Sequence, residues 1–290
     1  MHKSYERIVA RLIEAMETGI IPWRRPWTTP VNAISGKPYR GINFLMLATC
    51  EYADPRFLTF LQAQQLGGSV KRGAEGFPVI KWHFPTDLEI AKNPNARPWA
   101  RGYTVFGVEQ CEGLDKLPAL VSVEHDSIAE AQLIIDNWAD KPTIEHGGYR
   151  ASYNPTLDTI HMPEISKFTT PEGYYDTCFH ELVHSTGHVS RLNRLLVSPM
   201  LTKQDYSQEE LCAEIGAAML CAEAHIDGSD LIENNAAYLQ NWLQAVKGDP
   251  NMIPKAASVA AKATDLIMGR NCRPEEALDM APEAEMLVAA

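Results

Sequence analysis

The chain has 290 residues, 45% hydrophobic and 22% charged, with a formal net charge of −11 at pH 7. That composition belongs to a folded globular protein with room for two compact domains, and it excludes wholesale disorder and fibrous architectures. No apolar run approaches the ~20 residues that cross a bilayer, and the opening MHKSYERIVARLIEAMETG is amphipathic and charged, unlike a signal peptide, so a cytoplasmic protein without a membrane partner is expected.

In chain order, residues 5–18 carry Ile8, Val9, Leu12, Ile13 and Met16 at helical spacing, which predicts an amphipathic helix stopped at Gly19. The following IIPWRRPWTTPVNAISGKPYRGIN is rich in proline and reads as an extended, turn-rich arm. Helices are predicted over 44–51 and 59–66, the second ended by Gly67-Gly68. VKRGAEGFPVIKWHF reads as a hairpin around Gly73 and Gly76, with RGYTVFGVEQC as a partner strand and residues 85–100 as a polar loop. A helix over 127–138 opens the second half, followed by YRASYN and DTIHMP as two strands of a hairpin, then a helix containing residues 177–184. Further helices are predicted over 207–223, 234–246 and 254–268, with a loose tail after Arg270.

Six scattered cysteines without a C-x-x-C pair read as buried, reduced thiols. Charge divides the chain near residue 125: residues 1–125 hold 15 Lys+Arg against 12 Asp+Glu, whereas residues 126–290 hold 11 against 25. Only the first part suits a polyanion. There Trp23, Arg24, Arg25 and Trp27 place aromatic rings beside guanidinium groups, and Tyr39-Arg40, Lys71-Arg72 and Lys81 beside Trp82 repeat the combination. Rings that stack on bases and cations that neutralise phosphates suit a single strand, whose bases are open; the alternative is that the tryptophans are core.

His180-Glu181-Leu182-Val183-His184 is an H-E-x-x-H sequence in a predicted helix. A spacing of four puts both imidazoles on one face, where they can hold one metal ion. Glu181 then lies beside the ion, where a carboxylate can take a proton from an attacking water and return it to a leaving group. A third ligand is offered by Glu210 or Glu214, four apart on a downstream helix, with Glu209 as a competitor; a plain acidic face is the alternative. Glu210 followed by Glu214 resembles the E-x-x-x-D arrangement of glutamate zincins, in which the first acid binds metal and the second orients a ligand histidine. Glu210 is therefore assigned as ligand and Glu214 as the orienting group. His188 reads as a helix-end residue, Tyr174 and Tyr175 as packed phenols, and YRASYN as an edge beside which an extended peptide could add as a strand, or as ordinary core sheet.

The stretches YERIVARLIEAMETGIIPWRRPW, GKPYRGIN, LGGSVKRGAEG, TVFGVEQ, DTCFHELVHSTGHVSRLNR and YSQEELCAEIGAAMLCAE together resemble the ArdC antirestriction family. The chain departs from the family pattern at Phe57-Leu58-Thr59-Phe60, where a tryptophan is expected. The resemblance implies an α+β fold: a single-stranded-DNA-binding domain over 1–125, shared with TraC-type primases, and a mostly helical zincin-like metallopeptidase domain with a small sheet over 126–290. It further implies protection of incoming plasmid DNA from host restriction during conjugation, with Zn2+ or Mn2+ as cofactor. A protein substrate would be unknown, a host restriction component being one candidate. Two rival readings are a metallopeptidase whose first domain binds protein, and a DNA-binding factor whose metal site is purely structural.

Overall fold

The structure is a computed structural model that describes residues 3–24, 29–50, 52–120, 126–194, 203–226 and 236–270. Arg25, Trp27, Cys272 and the tail after Arg270 lie outside the described residues. The elements in chain order are α1 (Lys3–Glu17), β1 (Val31–Asn32), α2 (Gly41–Ala48), β2 (Arg56–Thr59), α3 (Phe60–Gln65), β3 (Ser69–Val70), β4 (Phe77–His83), α4 (Asp87–Lys92), β5 (Trp99–Gly107) and β6 (Cys111–Glu112). They continue with α5 (Ser127–Asn137), β7 (Thr143–His146), β8 (Ser152–Asn154), β9 (Thr159–Met162), α6 (Pro171–Ser185), α7 (Lys203–Glu223), α8 (Ala236–Gly248) and α9 (Met252–Ile267). The fold is α+β, as expected, and among the described residues no helix is long and apolar enough to cross a membrane.

The chain forms two compact units, and a single cut near residue 125 does not separate them. The larger unit combines residues 1–29 and 40–51 with 120–272. Sequence chemistry accounts for the regrouping. Helix α2, GINFLMLA, is buried from Gly41 through Leu47, and a helix that is apolar on every side must be covered on every side. It packs on α9 and α1, while the α1 stripe of Ile8, Val9, Leu12 and Met16 is buried against α2, α8 and α9. Gly41 opens α2 with φ +55, and a Cβ there would sit 3.5 Å from the Ala257 carbonyl oxygen of α9. Helices α6, α7 and α9 pack on one another around Phe179, Leu182, Val183, Ile215 and Ala260. Beside them lies the three-stranded sheet β7-β9-β8, with β7 parallel and β8 antiparallel to β9. The expected β8–β9 hairpin is present; β7 is an addition, because its parallel partner lies across the intervening β8 and leaves no hairpin signal.

The smaller unit spans residues 30–39 and 52–119. Its main sheet runs β1-β2-β5-β4, with β4 and β5 paired antiparallel from Phe77↔Val105 to His83↔Trp99. The hairpin expected around Gly73 and Gly76 is not formed: β3 pairs with β6 in a separate ribbon, and β4 turns to β5 instead. Both pairings satisfy the same alternation, so the local pattern does not choose between them. The loop over 85–100 contains α4, started by a capping box in which Thr86 and Glu89 exchange hydrogen bonds. Phe57, where the family pattern expects tryptophan, is buried against Tyr39 and Phe77. Of the described cysteines, Cys111, Cys178, Cys212 and Cys221 are buried, and none of the five is in a disulfide.

Candidate metal centre

Helix α6 begins at Thr170, whose hydroxyl accepts from the Gly173 N–H at 3.2 Å, with Pro171 at its first position. Two turns later it presents His180, Glu181 and His184. The two Nε2 atoms face each other at 3.1 Å. From α7, the Glu210 carboxylate reaches both rings, Oε2 at 3.6 Å from His180 Nε2 and Oε1 at 3.6 Å from His184 Nε2. All three donor groups lie within 4.8 Å of one another. At 3.1 Å the two Nε2 atoms, when unprotonated, can share one cation between them. Zinc–nitrogen bonds of 2.0–2.1 Å at a tetrahedral angle put two nitrogens about 3.3 Å apart, so the residues fit a divalent ion.

The support behind His184 is more extensive than the sequence suggests. Its Nδ1 lies 3.0 Å from Glu209 Oε1, so the ring N–H donates to that carboxylate and Nε2 is left as the free donor. Arg194 clamps Glu209 with two bonds, Nη2 to Oε1 at 2.9 Å and Nε to Oε2 at 3.0 Å. The same guanidinium donates to the Val183 carbonyl at 2.6 Å and to Thr186 Oγ1 at 2.5 Å, tying the clamp to the end of α6. Glu209 thus holds the ring of His184, while the charge of Glu214 acts on His180.

Burial disfavours the charged form of Glu209, but the His184 hydrogen bond and the Arg194 charge outweigh it and hold the carboxyl below its usual range. Glu210 is lowered in the same way, burial being overcome by His180 and His184. For His180, burial opposes protonation, and the Glu210 hydrogen bond with the charges of Glu214, Glu181 and Glu210 raises the imidazole all the same.

A cavity of about 610 Å3 opens over this group, lined among others by Tyr153, His180, Glu181, Tyr206 and Glu210. Glu181 is nearly buried in its wall. Ser152 and Tyr153 bring β8, an edge strand of its sheet, to the same cavity. Tyr206, one helical turn before Glu210, is 62% exposed and hydrogen-bonds that carboxylate, whose charge raises the phenol. Sequence reasoning missed it; the available signal was the spacing of four from Glu210 on one helix. Tyr174 and Tyr175 are packed, bonded to His146 and Gln132 at 2.8 Å and 2.9 Å, and His188 bonds Ser190 at 2.7 Å just past the helix.

The residues expected to meet DNA fall in both units. Trp23 is 1% exposed and packs edge-on against Trp242, and Tyr39 is 1% exposed against Phe57, so neither ring offers a face for stacking. The Arg40 guanidinium is engaged by Asp265 and by the Ala261 carbonyl at 3.0 Å. Arg24 ends a short 3-10 turn, and its side chain, like Arg25 and Trp27, lies outside the described residues. Lys71 and Arg72 are exposed in the turn after β3, and Lys81 lies on β4.

Residues 2–106 match the family profile described as the N-terminal domain of anti-restriction factor ArdC, and residues 129–259 match a zincin-like metallopeptidase profile. A crystal structure of the antirestriction ArdC protein from the R388 plasmid, Mn(II)-bound, superposes with a TM-score of 0.72 at 37% identity, covering 91% of this chain and 97% of that one. The uncharacterized protein y4eC of Sinorhizobium fredii is 35% identical over 90% of both chains. DNA primase TraC of Escherichia coli is 37% identical over 91% of this chain, which spans only 27% of that primase.

Proposed function

The chain belongs to the ArdC antirestriction family, and from that premise we propose that it binds single-stranded DNA, protects incoming plasmid DNA from host restriction in the bacterial cytoplasm, and carries a metal-dependent peptidase centre. The observation that carries the peptidase part is the convergence of His180, His184 and Glu210 beside Glu181 in one open cavity. His180, His184 and Glu210 hold the ion, for which Zn2+ and the Mn2+ of the R388 relative are the candidates. A divalent ion bound there supplies a Lewis acid.

The chain's own groups do the rest. Glu181 accepts the proton of the attacking water and passes it to the leaving amine. Tyr206 donates its phenolic hydrogen bond to charge developing on the scissile carbonyl, and the β8 edge pairs with the substrate backbone, holding an extended segment across the cavity. Glu209 and Arg194 fix the tautomer and direction of His184. Glu181→Gln keeps the metal ligands and removes the base. Retained metal binding with loss of both peptide cleavage and antirestriction in a conjugation assay is expected. Full antirestriction by that variant would leave the metal site a structural one and refute the peptidase role.

A further inference from the structure

Besides Lys71 and Arg72, the smaller unit exposes aromatic and basic groups at the far end of the β4–β5 hairpin, next to the Lys81-Trp82 pair. The register pairs His83 with Trp99, Lys81 with Arg101 and Val79 with Tyr103, which puts all of these side chains on one face of the hairpin. Toward the sheet that face is closed by buried Val79 and Val105. Toward the tip it opens. Trp99 is 52% exposed, its ring lies 5.1 Å from the His83 ring at an interplanar angle of 33°, and the Arg101 guanidinium lies over the Tyr103 ring at 5.3 Å.

A large, half-exposed indole and an exposed arginine alternate along one strand, and a lysine stands opposite. Such a face offers flat rings at intervals with cations between them, the chemistry that grips a strand of nucleotides. Charge agrees: residues 77–101 carry four Lys+Arg against two Asp+Glu, although the whole chain is at −11. The His83 imidazole lies 3.3 Å from Glu89, and Lys81 and Arg101 stand on the same face of the hairpin. Alternate residues of a strand repeat at about 6.7 Å, roughly twice the 3.4 Å rise per nucleotide of a strand in a duplex. Consecutive bases reach that spacing only when unstacked, which a single strand allows and a duplex does not.

We propose that this face of the β4–β5 hairpin is where a single DNA strand stacks, Trp99 with His83 taking a base while Lys81 and Arg101 meet its phosphates. This rests on the reading that the chain binds single-stranded DNA at all, and it moves the contact away from Trp23, Tyr39 and Arg40.

The test is fluorescence anisotropy with labelled oligo-dT and a duplex of equal length, across a salt series, on the full chain and on Trp99→Ala, Trp99→Phe, Lys81→Ala/Arg101→Ala and Trp82→Ala, with thermal unfolding confirming each fold. Loss of one stacked base predicts roughly 5- to 150-fold weaker binding for Trp99→Ala with an unchanged salt slope, largely restored in Trp99→Phe. The double charge variant should bind more weakly at low salt, with a slope reduced by about 0.7 per lost phosphate contact. Trp82, whose register partner is Ala100 on the opposite face, serves as control and should bind as the parent does. Parent-level binding by Trp99→Ala and by the double variant, equal affinity for duplex, or an equal loss in Trp82→Ala would each overturn the platform while leaving DNA binding intact. No binding by the parent chain would instead overturn the DNA-binding reading, and the platform with it.

Discussion

Gly216 controls the distance between the two helices that build the metal centre. It lies in the interior of α7, and a Cβ placed there would come within 2.7 Å and 2.9 Å of the two Val183 methyls on α6. Carbon atoms in contact settle near 3.5–4.0 Å, so Gly216→Ala must open the α6–α7 spacing by about 0.8 Å or force Val183 from its rotamer. Intrinsic propensity favours alanine in a helix by about 1 kcal/mol, and overpacking costs about 1–3 kcal/mol, so the net destabilisation is about 0–2 kcal/mol. Metal affinity is the sharper readout, because ligand distances tolerate only about ±0.2 Å and Glu210 is less than two turns from Gly216 on the same helix. A loss on the order of tenfold in Mn2+ affinity is expected by calorimetric titration. Val183→Ala added to the variant removes both clashing methyls and should restore most of the affinity. If Gly216→Ala instead binds Mn2+ as the parent does and melts higher, helix spacing does not set the site and the reasoning fails.

Three further outcomes follow from the same geometry. Glu209→Ala should lower metal affinity roughly 10- to 100-fold by releasing His184, and Glu209→Gln, whose carbonyl can still accept from Nδ1, should lose less; titration of both variants checks this. Asp158 accepts hydrogen bonds from Arg191, Nη1 at 3.0 Å, and from the Tyr153 phenol at 2.8 Å. Burial opposes its charge, but the Arg191 and Tyr153 hydrogen bonds and the Arg191 charge outweigh it, so its pKa is depressed. That contribution is complete above the unfolded value of about 3.9 and is lost as pH falls through the folded one. Asp158→Asn, acceptable at φ 50, should therefore be less stable at neutral pH and flatten the acid limb of the unfolding curve. Burial pushes the Cys178 and Cys212 thiols up to about 12, so both should resist a thiol reagent in the native protein and react only on unfolding; labelling before denaturant would contradict their packing.

Local periodicity carried much of the molecule into view. The i, i+4 repeat that aligns His180 with His184 is a property of one helix, as are the stripes of α1 and α9, and each is written in neighbouring residues. Choosing among Glu209, Glu210 and Glu214 required the rotation of α7 about its axis. Adjacent helical residues point about 100° apart, and the face α7 turns to α6 is the one on which Gly216 meets Val183. Exposure of the aromatic and basic residues was likewise decided at long range: Trp23 is covered by Trp242 and Arg40 is held by Asp265, partners more than two hundred positions away, while Trp99 is left open at a hairpin end. The sequence by itself determined which residues could bind metal or stack on a base, because residue type and helical spacing are local. Only the tertiary structure decided which of them converge in one cavity and which stay exposed, because burial and helix rotation are properties of distant partners.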